Sequence, residues 1–110
     1  AIGTAHGIYK SEPKLDMDRL SDIQKMVKVP LVLHGTSGVP EEQVKECIRR
    51  GICKVNYATE LRVAFSNGVK AALANEEGLI DPKKYLAAGR EAVTKLVCSR
   101  IQLCGSDGKA

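Results

Sequence analysis

Pro30–Gly38, PLVLHGTSG, runs a short apolar stretch straight into a histidine and then into a loop of Gly, Thr, Ser and Gly. A run of this length, bounded by Pro and Gly, reads as a buried strand. The loop leads into VPEEQVKECIRRG. There Pro40 stands where a first helical position would, two glutamates follow in the first turn, basic residues fill the last, and Gly51 can close the end. Strand, loop and helix in that order set the expectation for the whole chain.

Working outward, ICKVNYA reads as another strand, and Thr59 can cap a helix through TELRVAFSNGVKAALANE, despite the cost of Gly68 inside it. After a break at Gly78, Asp81-Pro82 starts a long helix reaching about Leu103, and the tail GSDGKA reads as frayed. Upstream, AIGTAHG reads as a first strand, GIYKSEPK as a loop, and LDMDRLSDIQKMV as an amphipathic helix with Leu15, Leu20, Ile23 and Val27 near a 3.6-residue period. Strand and helix therefore alternate three times, with strands apolar on both faces. The expected fold class is α/β, parallel strands with right-handed crossovers. Sequence leaves an open sheet and a piece of a closed barrel as equal alternatives.

A length of 110 residues, with 44% hydrophobic and 27% charged residues, suits one small globular domain. No apolar stretch is long enough to span a bilayer, and no basic leader with a cleavage site precedes the first segment, so the expected address is cytoplasmic with no membrane partner. The chain opens at Ala1 without a methionine, directly in a strand-like segment, which reads as a cut end. Cys47, Cys53, Cys98 and Cys104 form no CxxC pair and are expected to be reduced and mostly buried. The net charge of +4 is spread over helical faces, and one Phe and three Tyr offer little for stacking on bases, so nucleic acid is not an expected partner. A mild positive field also suits a phosphorylated substrate.

The chemistry collects at strand ends. Both histidines, His6 in TAHG and His34 in VLHG, close an expected strand and precede a glycine. Parallel strands in an α/β fold deliver their C-terminal ends to one face, so His6, His34 and Asn56 should meet where such folds bind ligands. One strand-end histidine is more often a satisfied interior residue, but two at equivalent positions supply two of the three protein ligands of a catalytic zinc. No residue of the chain stands out as the third. Gly35-Thr36-Ser37-Gly38, ahead of a helix, can aim backbone N–H groups and two hydroxyls at an anion, and Ala58-Thr59 at the next helix start can do the same. Ordinary βα turns are also rich in Gly and Ser, which is the plain alternative. Cys53 and Tyr57 read as packing, Lys10, Lys14, Lys83 and Lys84 as solvated surface, and Arg49-Arg50 as charges matched to a helix C-terminus.

Together, AIGTAHG, LVLHGTSG, KVNYATELR and GSDGKA resemble the C-terminal part of the class II, zinc-dependent fructose- and tagatose-bisphosphate aldolases, over essentially all 110 residues. The resemblance implies the C-terminal portion of a (β/α)8 TIM barrel, with residues 1–110 part of a single barrel domain whose N-terminal part is absent. It makes His6 and His34 ligands of Zn2+, and it places Gly7, Gly35, Thr36, Ser37, Asn56, Tyr57, Ala58 and Thr59 around dihydroxyacetone phosphate. It gives Arg62 a role at the far phosphate of the sugar, across to a neighbouring subunit. The third histidine and the acid/base aspartate are expected in the absent part, so the fragment alone is expected to be inactive. Where fructose-type members read Asn-x-Asp-Thr, this chain has Asn56-Tyr57-Ala58-Thr59; the alanine is closer to tagatose-type members, while Tyr57 departs from the usual small aliphatic residue. The implied partners are a phosphorylated ketose and further copies in a homo-oligomer. Two other readings stand beside this one: a non-catalytic sugar-phosphate-binding or interaction module, and a phosphosugar isomerase or epimerase, which would not need two strand-end histidines.

Overall fold

The computed structural model describes residues 1–109, which form α1 (Met17–Met26), β1 (Leu31–Leu33), α2 (Glu41–Arg49), β2 (Ile52–Val55), α3 (Thr59–Asn75) and α4 (Pro82–Leu103). β1 and β2 pair in parallel, with Leu31 opposite Ile52 and Leu33 opposite Val55, and α2 crosses between them. This is the βαβ unit read from PLVLH and the two flanking segments. The ladder continues past the strand ends, because Asn56 N donates to Leu33 O at 2.9 Å and Thr36 N to Asn56 O at 3.4 Å.

Helix boundaries follow their caps. Asp16 accepts from Arg19 N to start α1, and Asp81 accepts from Lys83 N to start α4, as expected from an acidic side chain ahead of unpaired amides. Pro40 stands at the N-cap of α2, one residue outside the position expected for it. Thr59 is the first residue of α3 rather than its cap, and Ala58 occupies the cap without a side-chain bond of its own. The tail is turned back rather than frayed where it meets α4: Ser106 N donates to Ile101 O at 3.1 Å and Gly105 takes a φ of 65°. Ala110, the last residue of that expectation, lies outside the described residues.

The segment Ala1–Gly7 is not a strand. Gly3 and Gly7 adopt φ of 109° and 100°, which β geometry does not allow, and the segment is instead tied by Asp16 N to Ile2 O at 2.9 Å. It still runs beside β1: a side chain at Gly35 would lie 2.4 Å from Ala5 O.

The core is built from Ile2, Leu15, Leu20, Leu33, Val39, Val44, Cys47 and Ile52, so the N-terminal segment, α1, β1, α2 and β2 share it. Strands buried on both faces are not what forms: Val32, Cys53 and Lys54 are exposed, while Leu33 and Ile52 point into the helices. Cys53 and Cys98 are exposed and Cys47 alone is buried, which corrects the expectation of mostly buried thiols. The period of two along a strand puts alternate residues on opposite faces, and the helices here cover one face of the pair.

α3 and α4 pair with each other as a long hairpin. Gly68, costly for a helix in isolation, is the contact: a β-carbon there would lie 2.7 Å from Ala88 O, and one at Gly89 would lie 2.8 Å from the Phe65 ring. Because this hairpin extends from the core, the radius of gyration is 17.2 Å, against about 13 Å for a compact chain of this size.

Candidate functional site

Three segments meet beyond the C-terminal ends of β1 and β2. His34 follows β1 directly, and the extended ladder puts the Asn56 side-chain amide 3.0 Å from its Nδ1. His6, from the irregular N-terminal segment, comes beside it with ring centroids 6.2 Å apart and planes inclined by 54°. Both imidazoles are exposed. The atom that approaches is the Asn56 amide nitrogen, which donates to Nδ1 and so fixes the orientation of the His34 ring.

A cleft of about 30 Å3 is lined by His6, Gly7, Gly35, Ser37, Asn56, Ala58 and Thr59. Every one of these was picked out in the sequence, so the structure brings them together. Ser37 is buried, and its Oγ accepts from the amides of Ala58 and Glu60 at 3.3 Å each. The N-terminus of α3 is thus capped by a side chain from the neighbouring loop, which places this end, with its partial positive charge, against the cleft.

Three of the nominated residues lie apart. Thr36 is 1% exposed and its hydroxyl donates to Leu33 O, so it fastens the loop to β1. Tyr57 turns towards α4, where Arg100 lies 5.6 Å over its ring; its Oη is buried without a hydrogen-bond partner. Burial, with the Cys104 thiol next in weight, holds this phenol well above the usual tyrosine range. Arg62 sits on the first turns of α3, exposed to solvent.

A larger groove of about 730 Å3 adjoins the cleft and shares Gly7, Ser37 and Thr59 with it. Its floor is an ion cluster: Arg100 donates to Glu60 at 2.7 and 3.2 Å and to Glu41 at 2.8 Å. Glu60 foremost, then Glu41, raises the guanidinium pKa further above its ordinary value, so the charge is permanent. Sequence reading missed Arg100 and Glu60, because residues this far apart in the chain show no spacing pattern. It also missed Tyr9, whose Oη accepts from Ala5 N and donates to Gly35 O, both at 2.8 Å. The available signal was an aromatic residue inside an otherwise polar loop.

Two exposed imidazoles from different segments lie side by side, and the Asn56 amide holds one of them; imidazole is a common zinc ligand. Among the described residues no cluster of three or more His, Cys, Asp or Glu side chains suits a metal. The pair fits zinc as two ligands of an incomplete set. No helix among the described residues is long and apolar enough to cross a membrane.

Residues 1–109 match the family described as fructose-bisphosphate aldolase class-II. Among solved structures, the chain is similar to the YdjI aldolase from Escherichia coli K12, with 37% identity and a TM-score of 0.82 over 100% of this chain and 40% of that one. It is also similar to fructose-bisphosphate aldolase from Campylobacter jejuni, at 25% identity and a TM-score of 0.80, over 96% of this chain and 38% of that one. A crystal structure described as a putative fructose-1,6-bisphosphate aldolase, from Coccidioides immitis, matches at 30% identity and a TM-score of 0.71, over 99% and 38%. The chain thus spans about two fifths of the length of the structures it matches. Its parallel α/β architecture is that of a portion of a (β/α)8 barrel.

Proposed function

Because the chain belongs to the class II fructose-bisphosphate aldolase family, we propose that residues 1–110 are the C-terminal part of one barrel domain in a zinc-dependent aldolase. The reaction is the reversible cleavage of a ketose 1,6-bisphosphate into dihydroxyacetone phosphate and an aldehyde such as glyceraldehyde 3-phosphate. Ala58, where fructose-type members carry aspartate, favours tagatose 1,6-bisphosphate as the substrate. The observation that carries this reading is the approach of His6 to His34, 6.2 Å between ring centroids, beside a capped helix N-terminus.

His6 and His34 would hold the metal, and Asn56 orients His34. When bound, zinc acts as a Lewis acid on the C2 carbonyl oxygen, where electrons from the broken C3–C4 bond collect. The amides around Gly35 and Ser37 and the α3 N-terminus favour the phosphate of the dihydroxyacetone half, fixing the reacting carbons by orientation. The resemblance assigns the third histidine and the acid/base aspartate, which removes the C4 hydroxyl proton during cleavage, to the rest of the barrel. Arg62, exposed on α3, is free to reach the far phosphate in a neighbouring subunit. Apolar side chains left open here, among them Val32, Val63, Val97 and Ile101, support burial against the remaining barrel or further copies in a homo-oligomer. The expected location is cytoplasmic.

The test is kcat/KM of the full-length protein for tagatose and fructose 1,6-bisphosphates, with and without a chelator. A higher value for the tagatose substrate, lost on chelation, is expected. A fructose preference removes the substrate assignment, and phosphosugar binding without turnover replaces the enzyme by a binding module.

A further inference from the structure

The two histidines reach each other by different routes, and one route is weakly secured. His34 is fixed by β1 and by the ladder to β2. His6 lies in a segment that forms no strand, and among the described residues no backbone hydrogen bond joins residues around His6 to the loop after His34. What joins them is the phenol of Tyr9. Its Oη takes the Ala5 N–H at 2.8 Å and gives its own hydrogen to Gly35 O at 2.8 Å, so one oxygen ties the residue before His6 to the residue after His34. The ring is also held, since a β-carbon at Gly38 would lie 3.1 Å from Tyr9 Cδ2. The backbones lie so close at this point that a β-carbon at Gly35 would meet Ala5 O at 2.4 Å.

We propose that Tyr9 is a positioning residue: through Ala5 and Gly35 it sets the spacing of the His6 and His34 imidazoles. Its consequence for catalysis rests on the aldolase reading above; its effect on the two segments does not. Tyr9 touches no substrate in this role. Loss of a partner bonded to a metal ligand itself typically costs about 10- to 100-fold in metal affinity; Tyr9 acts one residue removed from each histidine, through the backbone.

The experiment is Tyr9→Phe in the full-length protein, which keeps the ring on Gly38 and removes the bridging oxygen. The expected results are amide exchange at Ala5 faster by about tenfold, the size of one lost hydrogen bond, and zinc affinity lower by up to about tenfold, the low end for partners bonded to a ligand itself. In turnover, kcat falls while KM for the ketose bisphosphate changes little. A purely structural role would lower the melting temperature and leave zinc affinity unchanged, and that outcome overturns the proposal. So does unchanged exchange at Ala5. If the unsubstituted protein binds no zinc, the aldolase reading fails by itself, and Tyr9 is judged by Ala5 exchange and by shifts of the His6 and His34 ring resonances. If the variant does not fold, exchange in the unsubstituted protein decides: Ala5 protected relative to Thr4 supports the bridge, and equal exchange rejects it.

Discussion

The Ser37 hydroxyl accepts the amide hydrogen of Ala58 at 3.3 Å, so the loop after β1 caps the helix that follows β2. A cap delivered from another loop does two things at once. It satisfies amides at the α3 N-terminus, Glu60 N included, and it fixes the distance between the two loops that line the small cleft.

Ser37→Ala is therefore expected to cost about 1 kcal/mol, the usual value of a helix cap. Urea unfolding measures it, and Thr59→Ala serves as the comparison, because Thr59 makes no cap bond. A larger loss for Thr59→Ala would mean that Ser37 is not the cap.

Gly35 and Gly78 separate backbone conformation from close approach. Both have positive φ, 64° and 78°, but a β-carbon at Gly35 meets Ala5 O at 2.4 Å while one at Gly78 meets nothing within 4 Å. Gly78→Ala should cost about 1 kcal/mol, from the left-handed backbone alone. Gly35→Ala must in addition push the His6 segment away, and its loss of stability should exceed that of Gly78→Ala. Equal losses in urea unfolding would show that the contact carries no energy.

Tyr57 gives a pH-dependent signature. Its buried phenol ionises above the ordinary range near pH 10. Between the unfolded and folded pKa values the unfolded state binds fewer protons, so this group lowers stability as pH rises through and beyond 10. Tyr57→Phe should lose that share of the alkaline slope. At neutral pH it should be neutral or stabilising, since the hydroxyl removed is buried without a partner. Denaturant unfolding of both proteins at pH 7 and above pH 10 measures the difference, and parallel slopes would refute it.

Arg100 and Glu60 lie mostly out of solvent, with side chains 22% and 18% exposed, and they connect α4 to the start of α3. A double-mutant cycle on Arg100→Met and Glu60→Gln should return a coupling of about 1–3 kcal/mol, more than a surface pair gives. Arg49 and Glu46, with Arg49 69% exposed, are the control, where coupling should stay below about 1 kcal/mol. Similar values for the two pairs would remove the hairpin anchor.

Local and periodic features are the ones the amino-acid order reveals directly. PLVLHGTSG, the capping residues of α1 and α4 and the apolar spacing of Leu20 and Ile23 carry their structure within one or two turns of chain, and they were legible for that reason. The meeting of His34 and Asn56 was legible too, because parallel strands bring equivalent ends to one face; His6 joins them from a segment that is not a strand, so its arrival was expected for a reason the fold does not use. Tertiary structure decided the rest. The Ala1–Gly7 segment reads as a strand by composition, yet two glycines at positive φ and no ladder partner leave it irregular. Thr59 is a good cap by type, yet Ser37 reaches the same amides from the neighbouring loop. Gly68 looks like a defect until Ala88 fills the space above it. Tyr9, Glu60 and Arg100 acquire their partners only when distant segments pack, so no window of sequence contains the information that places them.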